Sequence, residues 1–510
     1  MAEIFEYDRE ESPYWSNMFG NTPVQYDDTE EYEYVEYLES NSHGGKPSST
    51  QSRFVLYNRD IDPYLLFHKG FIQVRGYIRK AALNAGNEEF YDSDNEYIAP
   101  CNLFNYAIWD RAELRLEGSL VQKVDNPRLI ALVKHLTKYT PENEKTQGTL
   151  SFFYKDTGNG GTSIAPTIIN STLVGKVTDG AIVVTGANAE SVNLLNRGLT
   201  LTTTSWENTN YNKGFQDRMN RCITAGATTK KTFEFYLPLS DLFGFYENYN
   251  APFRGIKHEI TLERNNSPDT YLQKKSGVDD GIFVFEKVSM WIPRIKPSYE
   301  KLTDLNQKFV ERAQTIMNWS DFRYEYSKDT SANSLSNQLR VGSLAGRPTY
   351  CYVFFQYDSV VNGNQTFNKN IFNNLTNTGA GGLAQIEMRI NSHALPLQTF
   401  NLDFSDANND YLRAYLYLLE SQGKMLSRDS DFSNPGMVVT YEEFKKLYPL
   451  FVFDFTRIEK RMYENISASE LEVRWKLHAN APDDYVCHVI IEHERIATAQ
   501  ANDSKLLITL

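Results

Sequence analysis

Apolar and polar residues alternate with a period of two, in short runs, along most of this chain. Clear examples are residues 53–57, 70–78, 231–237 and 471–477. This spacing is typical of half-buried β-strands, because successive side chains of a strand point to opposite faces of the sheet. Tyr (32 residues) and Phe (30 residues) are heavily used, which also favours sheet over helix. The pattern therefore predicts a mainly all-β chain in which short strands are separated by turns and loops.

The strand pattern occurs twice. Residues 113–117 have the sequence Glu-Leu-Arg-Leu-Glu, and residues 387–391 have the similar sequence Glu-Met-Arg-Ile-Asn. Each is followed by a Leu-rich stretch with helical spacing, at residues 127–139 and at about 405–422. At 510 residues the chain exceeds what one hydrophobic core usually supports, so two large domains are expected.

A second pair of matching segments follows in the same order. Residues 266–271 and 480–485 share the pattern Asn-x-Pro-Asp-x-Tyr. The offset between the copies is 387 − 113 = 274 at the first pair and 480 − 266 = 214 at the second, so the first copy is the longer one between these marks. We predict a tandem duplication that forms two jelly-roll β-sandwiches, with short helices in the connections.

Composition divides the chain into three predicted regions. Residues 1–52 form an acidic, Tyr-rich and flexible N-terminal arm, which is either a disordered tail or a peptide that becomes ordered against a partner through its tyrosines. Residues 53–297 form the first jelly roll, with a long loop insertion at about 140–230, where Gly, Thr, Asn and Ser dominate. Residues 298–510 form a connector and the second jelly roll.

Charge and cysteine content narrow the possible functions. Residues 1–50 contain 12 acidic and 2 basic side chains, so they account for −10 of the net charge of −13, and the rest sums to −3. A nearly neutral body argues against direct nucleic-acid binding. No apolar run is long enough for a membrane span, and the N-terminus has no secretory signal pattern. The four cysteines are widely spaced and form no CxxC pair. Cys101, Cys351 and Cys487 lie in apolar or strand-like segments, which indicates buried free thiols, and reduced cysteines fit a protein made inside the cell.

No segment makes a persuasive active site. Residues 45–48 lack the upstream glycine of a phosphate loop, and residues 156–161 lack dinucleotide-binding spacing. Cys487, His488 and His493 do not fit a tetrahedral zinc site, because the two histidines fall on opposite faces of a strand. Asp483 and Asp484 are expected in a turn. We therefore predict no catalytic, cofactor-binding or metal-binding residues, no cofactor and no enzymatic activity, which favours a structural or binding protein.

Five segments carry a family resemblance. They are residues 212–218, 237–245, 253–264, 291–297 and 450–456. The run Leu-Pro-Leu-Ser-Asp-Leu-Phe-Gly-Phe at 237–245, followed by a glycine, a strand and an arginine, resembles a signature of double jelly-roll major capsid proteins. The resemblance is closest to those of Polinton (Maverick) elements, adintoviruses and virophages. The acidic arm matches no family motif.

The resemblance implies a structural protein that forms pseudo-hexameric, trimeric capsomers of an icosahedral viral capsid. Two similar sandwiches in each of three chains give 2 × 3 = 6 similar units, which suits a closed ring. The expected partners are further copies of this chain, and penton and minor capsid proteins. The expected location is the virion. Two alternatives remain: a glycan-binding or glycan-cleaving tandem β-sandwich, and a capsid-derived protein domesticated by a host.

Overall fold

A computed structural model of the chain describes 19 separate stretches. They are residues 29–42, 47–56, 64–93, 96–156, 168–171, 204–207, 212–224, 226, 228–275, 277–310, 314–329, 335–341, 347–358, 372–376, 381–390, 393–425, 436–456, 471–502 and 505–509. Within them, antiparallel strands dominate and helices are short.

Strands of the first half are β1 (Thr29–Leu38), β2 (Gln51–Leu56), β3 (Tyr64–Leu65), β4 (Phe71–Lys80), β5 (Ile98–Pro100), β6 (Trp109–Leu116), β7 (Ser119–Asp125), β8 (Ile168–Ser171), β9 (Thr204–Glu207), β10 (Thr232–Pro238), β11 (His258–Arg264), β12 (Leu272–Lys274) and β13 (Gly281–Pro297). Strands of the second half are β14 (Gln314–Asp329), β15 (Ser336–Val341), β16 (Arg347–Tyr357), β17 (Leu383–Ile390), β18 (His393–Asn401), β19 (Phe451–Asp454), β20 (Leu471–Leu477), β21 (Tyr485–Asn502) and β22 (Lys505–Thr509).

Helices connect these strands. They are α1 (Phe104–Ala107), α2 (Pro127–Thr137), α3 (Pro141–Asn143), α4 (Lys213–Cys222), α5 (Leu239–Leu242), α6 (Gly244–Asn248), α7 (Pro268–Tyr271), α8 (Tyr299–Val310), α9 (Leu412–Ser421) and α10 (Tyr441–Lys446). Both Leu-rich stretches contain a helix, although α9 begins later than the sequence pattern suggests. Thr440 and Glu443 form the reciprocal capping box of α10 that the sequence Thr-Tyr-Glu-Glu indicates.

The two halves have the same sheet topology. The first is built from the sheets β1-β13-β4-β10 and β2-β11-β6-β7, and the second from β14-β21-β16-β19 and β15-β20-β17-β18. If the eight strands of each half are numbered in chain order, both halves have the strand orders 1-8-3-6 and 2-7-4-5. This is the jelly-roll arrangement, so the predicted fold class of two tandem jelly rolls is confirmed. The matching segments at 113–117 and 387–391 lie in β6 and β17, the equivalent strands of the two rolls.

The prediction of a flexible arm over residues 1–52 is wrong for its second half. Residues 29–38 form β1, which pairs along its length with β13 and is the first strand of the first roll. Lys287 and Lys296 of β13 form ion pairs with Glu36 and Glu30 of β1, so cross-strand pairing offsets the acidic charge. Glu39 follows β1 and is buried beside Arg264. Residues 1–28 lie outside the described part of the chain.

The predicted insertion at about 140–230 is only partly a surface loop. Phe152 and Phe153 are fully buried, and α4 places Arg218 in the interior. The Arg218 guanidinium forms an ion pair with Asp156 (Nη2–Oδ1 2.8 Å) and donates to the carbonyls of Pro100 and Tyr154. A buried charge is tolerated here because it is paired and hydrogen-bonded. Most of residues 157–211 lie outside the described residues.

One continuous hydrophobic core extends through both rolls. The predicted boundary between residues 297 and 298 lies at the end of β13, and the connector α8 follows it. Leu305 of α8 packs in a small separate cluster with Tyr64 and Ile295 of the first roll. The two sandwiches therefore pack against each other through buried side chains.

Candidate assembly surfaces

A buried polar cluster joins the two rolls. The side-chain amide of Gln122, on β7, donates to the Asp321 carboxylate of β14 (2.9 Å) and accepts from the backbone N–H of Phe245 (3.1 Å). Arg495 of β21 forms an ion pair with the same carboxylate (3.2 Å) and donates to the backbone carbonyl of Val121 (3.1 Å). Hydrogen bonds therefore run in both directions across this contact, which we call the seam.

The backbones of the two rolls approach closely at Gly244, the first residue of α6. A Cβ atom on this residue would overlap the backbone oxygen of Ser320, so only glycine allows the approach. The Asn248 side chain accepts a hydrogen bond from the Ser320 N–H (3.0 Å). The rings of Phe245 and Trp319 meet edge to face, with centroids 5.3 Å apart. This part of the seam is both tightly packed and hydrogen-bonded.

Helix α2 lies against the outward face of the second roll's β14-β21-β16-β19 sheet. The ammonium groups of Lys134 and Lys138 lie 4.8 and 5.5 Å from the centroid of the Phe322 ring. Lys138 also forms an ion pair with the buried Glu492 (2.7 Å), and Lys134 forms one with Glu247 of its own roll (2.6 Å). We call this sheet face, with Phe322, Tyr324, Tyr352, His488 and Glu492, the covered face.

His488 illustrates how closed the covered face is. Its Nδ1 atom is 2.9 Å from the hydroxyl of Tyr324, and its ring stacks on Phe354. Burial lowers the pKa of His488 to about 3, and the nearby Arg128 guanidinium acts in the same direction. The imidazole is therefore neutral at physiological pH and contributes to packing and hydrogen bonding.

A second set of contacts bridges the two rolls. Lys155 forms an ion pair with Glu443 of α10 (2.9 Å) and donates to the backbone carbonyl of Val438 (2.8 Å). The backbone N–H of Asp156 donates to the hydroxyl of Tyr448, which is fully buried. The seam therefore involves the insertion predicted at about 140–230 as well as the β-sandwiches.

The outward face of the first roll's equivalent sheet, β1-β13-β4-β10, carries aromatic rings, of which Tyr32 and Tyr34 are exposed. The rings of Tyr34, Phe71 and Tyr236 follow one another across this face, with centroids 5.9 and 5.8 Å apart. Trp291 lies opposite Phe71 in the pairing of β13 with β4, and its indole N–H donates to the Gln73 side chain (2.9 Å). We call this surface, with Tyr32, Tyr34, Phe71, Tyr236 and Trp291, the aromatic face.

Helix α9 is the second exposed apolar feature. It follows β18 as α2 follows β7, and these two strands occupy equivalent positions. In α2 the side chains from Leu129 to Thr137 are buried. In α9, Leu412 is 52% exposed and Leu416 is 38% exposed. These two leucines are separated by one helical turn and lie on one side of the helix.

The glycine-containing and acidic segments that resemble functional motifs have ordinary structural settings where they are described. Ser48 donates its backbone N–H to Glu39, while residues 43–46 lie outside the described residues. Asp483 and Asp484 lie in the β20–β21 turn, where the Asp484 N–H donates to the Asp483 carboxylate. Residues 157–161 are likewise outside the described part. The prediction that the chain has no catalytic or cofactor-binding residues stays a prediction.

The candidate zinc ligands are not brought together. His488 lies on the covered face, whereas His493 lies beside Asp321 at the seam (3.8 Å). Burial lowers the pKa of His493, and the Asp321 carboxylate opposes that shift. Over the described residues, no group of three or more His, Cys, Asp or Glu side chains could hold a metal ion. All four cysteines are buried free thiols, as the sequence predicts for Cys101, Cys351 and Cys487.

A cavity of about 140 Å³ lies between the rolls. It is lined from the first roll by residues that include Trp109, Asp110 and Arg128, and from the second by Tyr324, Gln356 and His488. Among the described residues that line it, Asp110 is the one carboxylate, whereas most glycosidases use a pair. In the part of the chain that the structure describes, no helix is long and apolar enough to cross a membrane.

Sequence reasoning did not identify the aromatic face or the exposed side of α9. The period-two spacing of Tyr32, Tyr34, Glu36 and Leu38 was available as a signal for one face of a strand. The high acidic charge of the region directed the interpretation towards disorder instead. For α9, the excess of leucines over what one buried helix face needs was the available signal.

Comparison with solved structures defines the class of fold. A chain of the Sputnik virophage cryo-EM structure is similar with a TM-score of 0.53 at 11% identity, covering 100% of this chain and 93% of that one. The Faustovirus major capsid protein is similar with a TM-score of 0.53 at 9% identity, covering 94% of this chain and 90% of that one. The mavirus major capsid protein gives a TM-score of 0.46 at 12% identity, covering 100% and 95%. The first two likenesses place the chain in the double jelly-roll class.

The family follows from the sequence. The model of the double jelly roll-like domain matches residues 193–497, which is more than half of the chain. The chain belongs to this family, and the resemblance inferred from residues 212–218, 237–245, 253–264, 291–297 and 450–456 is confirmed. No curated protein sequence matches the chain.

Proposed function

We propose that this chain is a major capsid protein whose homotrimers form the pseudo-hexameric capsomers of an icosahedral virus. The observation that carries the proposal is the presence of two jelly rolls with identical strand orders in one chain. The membership of the double jelly roll-like family supports it, as does the similarity to a Faustovirus protein named as a major capsid protein.

The seam gives this proposal a physical basis. A capsomer with six similar units from three chains needs the two rolls of each chain to be held in a fixed relation. The polar cluster of Gln122, Asp321 and Arg495 and the close approach at Gly244 provide that rigidity. A closed ring of three chains then presents six similar outer surfaces that can tile a shell. The role is structural and does not involve catalysis.

The partners follow from this role. Further copies of the chain form the capsomer, and neighbouring capsomers form the shell. Penton and minor capsid proteins would occupy the positions that a pseudo-hexameric unit cannot fill. The location of the protein would be the virion. The nearly neutral charge outside residues 1–50 is consistent with a shell that does not bind nucleic acid sequence-specifically.

The mass of the purified full-length chain in solution tests the proposal. Multi-angle light scattering is expected to give three times the chain mass of 58.6 kDa, or a much larger assembly. Electron microscopy of the larger species is expected to show closed shells with pseudo-hexagonal units. A chain that stays at 58.6 kDa from the lowest to the highest attainable concentration would contradict the proposal.

A further inference from the structure

The duplicated fold provides two helix positions and two sheet faces that can be compared directly. Helices α2 and α9 follow equivalent strands, and the aromatic and covered faces belong to equivalent sheets. Within the chain, α2 lies on the covered face. Among the described residues, no ring contact, ion pair or side-chain hydrogen bond joins α9 to the aromatic face. The exposed side of α9 and the aromatic face are therefore the equivalents of a helix and a sheet face that pack together within the chain.

The aromatic face and one side of α9 carry exposed apolar side chains, whereas their equivalents are buried. Phe322 on the covered face is 6% exposed, whereas Tyr34 on the aromatic face is 44% exposed. Leu416 of α9 is 38% exposed, whereas Leu132 of α2 is 1% exposed. Exposed apolar surface whose equivalent in the other roll is buried indicates an interaction site.

We propose that α9 of one copy packs on the aromatic face of a second copy of this chain, head to tail, as α2 packs on the covered face within one chain. This proposal rests on the proposed function and adds which surfaces mate. At the seam, the first roll packs against the second roll of the same chain. If the same arrangement is repeated between copies, the second roll of one copy packs against the first roll of the next copy. Such an interface is heterologous, and it closes when the ring contains three copies.

The charges near the aromatic face suit burial by an apolar helix. Glu36 is paired with Lys287 (2.5 Å), and Glu30 is paired with Lys296 (3.0 Å), so these carboxylates are already neutralised within the sheet. The Lys287 ammonium lowers the pKa of Glu36, so the pair stays charged and bonded at neutral pH. The contact between copies is then leucine against aromatic rings, as expected for a stable, obligate interface.

Two substitutions test the two sides of this contact separately. Leu416→Glu alters only the helix, and Tyr34→Glu alters only the sheet face; both side chains are exposed in the single chain, so each variant is expected to fold. Leu83→Glu, at a 52% exposed leucine in a loop outside both surfaces, is the matched control. Light scattering of the full-length chains is expected to give 58.6 kDa for both test variants, and three times that mass for the control and the wild type.

Mixing the two variants tests the head-to-tail geometry. The Leu416→Glu chain retains an intact aromatic face, and the Tyr34→Glu chain retains an intact helix, so one intact contact can form between them. The mixture at high concentration is expected to contain a species of twice the chain mass that neither variant forms alone. A mixture that stays monomeric would overturn the head-to-tail arrangement.

The outcomes separate this proposal from the proposed function. A monomeric wild type would contradict both. A trimeric wild type whose Leu416→Glu and Tyr34→Glu variants are also trimeric would overturn the inference and leave the proposed function intact. If only one variant loses the trimer, the altered surface meets a different partner surface, and the proposal is again overturned. Should Leu416→Glu fail to fold by circular dichroism, Leu412→Glu, at a 52% exposed position, replaces it.

Discussion

The sheets β1-β13-β4-β10 and β14-β21-β16-β19 have the same strand order, but their outward faces differ in exposure to solvent. In the second roll this face is closed by α2 and carries a buried histidine, His488, and a buried carboxylate, Glu492. In the first roll the equivalent face carries the exposed rings of Tyr32 and Tyr34 and the partly buried ring of Trp291. Strand order therefore does not decide which side of a sheet is buried. A face is buried when another element packs on it, and the residue types on each face suit that environment.

The residue types on each face fit their environments. Tyr and Trp combine a large apolar body with a polar group, so they tolerate water and can also pack in an interface. His488 and Glu492 on the covered face need specific partners because burial without a hydrogen bond is costly. Tyr324 provides the partner of the first, and Lys138 provides that of the second. The covered face is thus suited to permanent packing within the chain, whereas the aromatic face is suited to association with another molecule.

Removing one aromatic ring from each face is expected to give the largest difference. Phe322→Ala removes a buried ring between Lys134 and Lys138 and should cost roughly 3–5 kcal/mol in the free energy of unfolding. Tyr34→Ala should cost roughly 0.5 kcal/mol in the isolated chain, because the ring is already half in water. Urea unfolding at concentrations that favour the monomer measures both. Equal costs would contradict the contrast between the faces.

This contrast also shows what the sequence could predict. The alternating pattern predicts sheets, and the matching segments at 113–117 and 387–391 predict a duplication, because both signals depend on local periodicity. The strand β1 was missed because its acidic residues suggested disorder, and its stabilising partners Lys287 and Lys296 lie on β13, the last strand of the same roll. Pairing between the first and last strands of a roll leaves no local pattern.

Adding a methyl group at the tightest point of the seam should lower the free energy of unfolding by less than removing a core ring does. Gly244→Ala places a methyl group against the Ser320 carbonyl and is expected to destabilise the chain by about 2–3 kcal/mol, because the rolls must move apart. Gly86→Ala is the control: its φ of 86° also disfavours a side chain, but no atom lies within 4 Å of the added carbon, so about 1 kcal/mol is expected. Thermal unfolding of both variants compares them. A Gly244→Ala chain as stable as the control would mean that the seam is loose.

The candidate assembly surfaces were beyond sequence reasoning for a different reason. A helix pattern predicts which residues share one side, but not whether that side faces the core, the other roll or another molecule. Leu129 and Leu412 are similar in the sequence, yet one is buried at the seam and the other is exposed. Only the position of the second roll distinguishes them, and that position is set by contacts such as the hydrogen bond between Gln122 and Asp321.

Acidic pH is expected to lower the free energy of unfolding of both rolls, because each roll contains a buried, neutral histidine. Burial lowers the pKa of His258 and that of His488 to about 3, whereas a histidine in the unfolded chain has a pKa near 6.5. The unfolded state therefore binds more protons between these values, and stability falls as the pH drops below 6.5. Each histidine contributes about 1.4 kcal/mol per pH unit in that window. Urea unfolding from pH 7.5 to pH 5 measures the slope.

Replacing each histidine by phenylalanine sharpens this comparison. His258→Phe and His488→Phe should each reduce the acid-dependent slope by the same amount. At pH 7.5 their costs should differ. The hydroxyl of Tyr246, which is fully buried, loses its partner in the first variant, at about 1–3 kcal/mol. Tyr324 is only partly buried, so the loss of its partner in the second variant should cost less. If the free energy of unfolding of either variant depends on pH as steeply as that of the wild type, other groups cause the loss of stability in acid.

The smallest effect is expected where the two rolls are alike. On β6 and β17, Arg115 pairs with Glu113 (3.1 Å) and Arg389 pairs with Glu387 (2.7 Å), on sheet faces that point away from each core. Because these arginines are substantially exposed, Arg115→Ala and Arg389→Ala should each cost less than about 0.5 kcal/mol, and by similar amounts. Urea unfolding at low and high salt measures both. A large cost for one arginine alone would mean that this sheet face, too, has acquired a separate role in one roll.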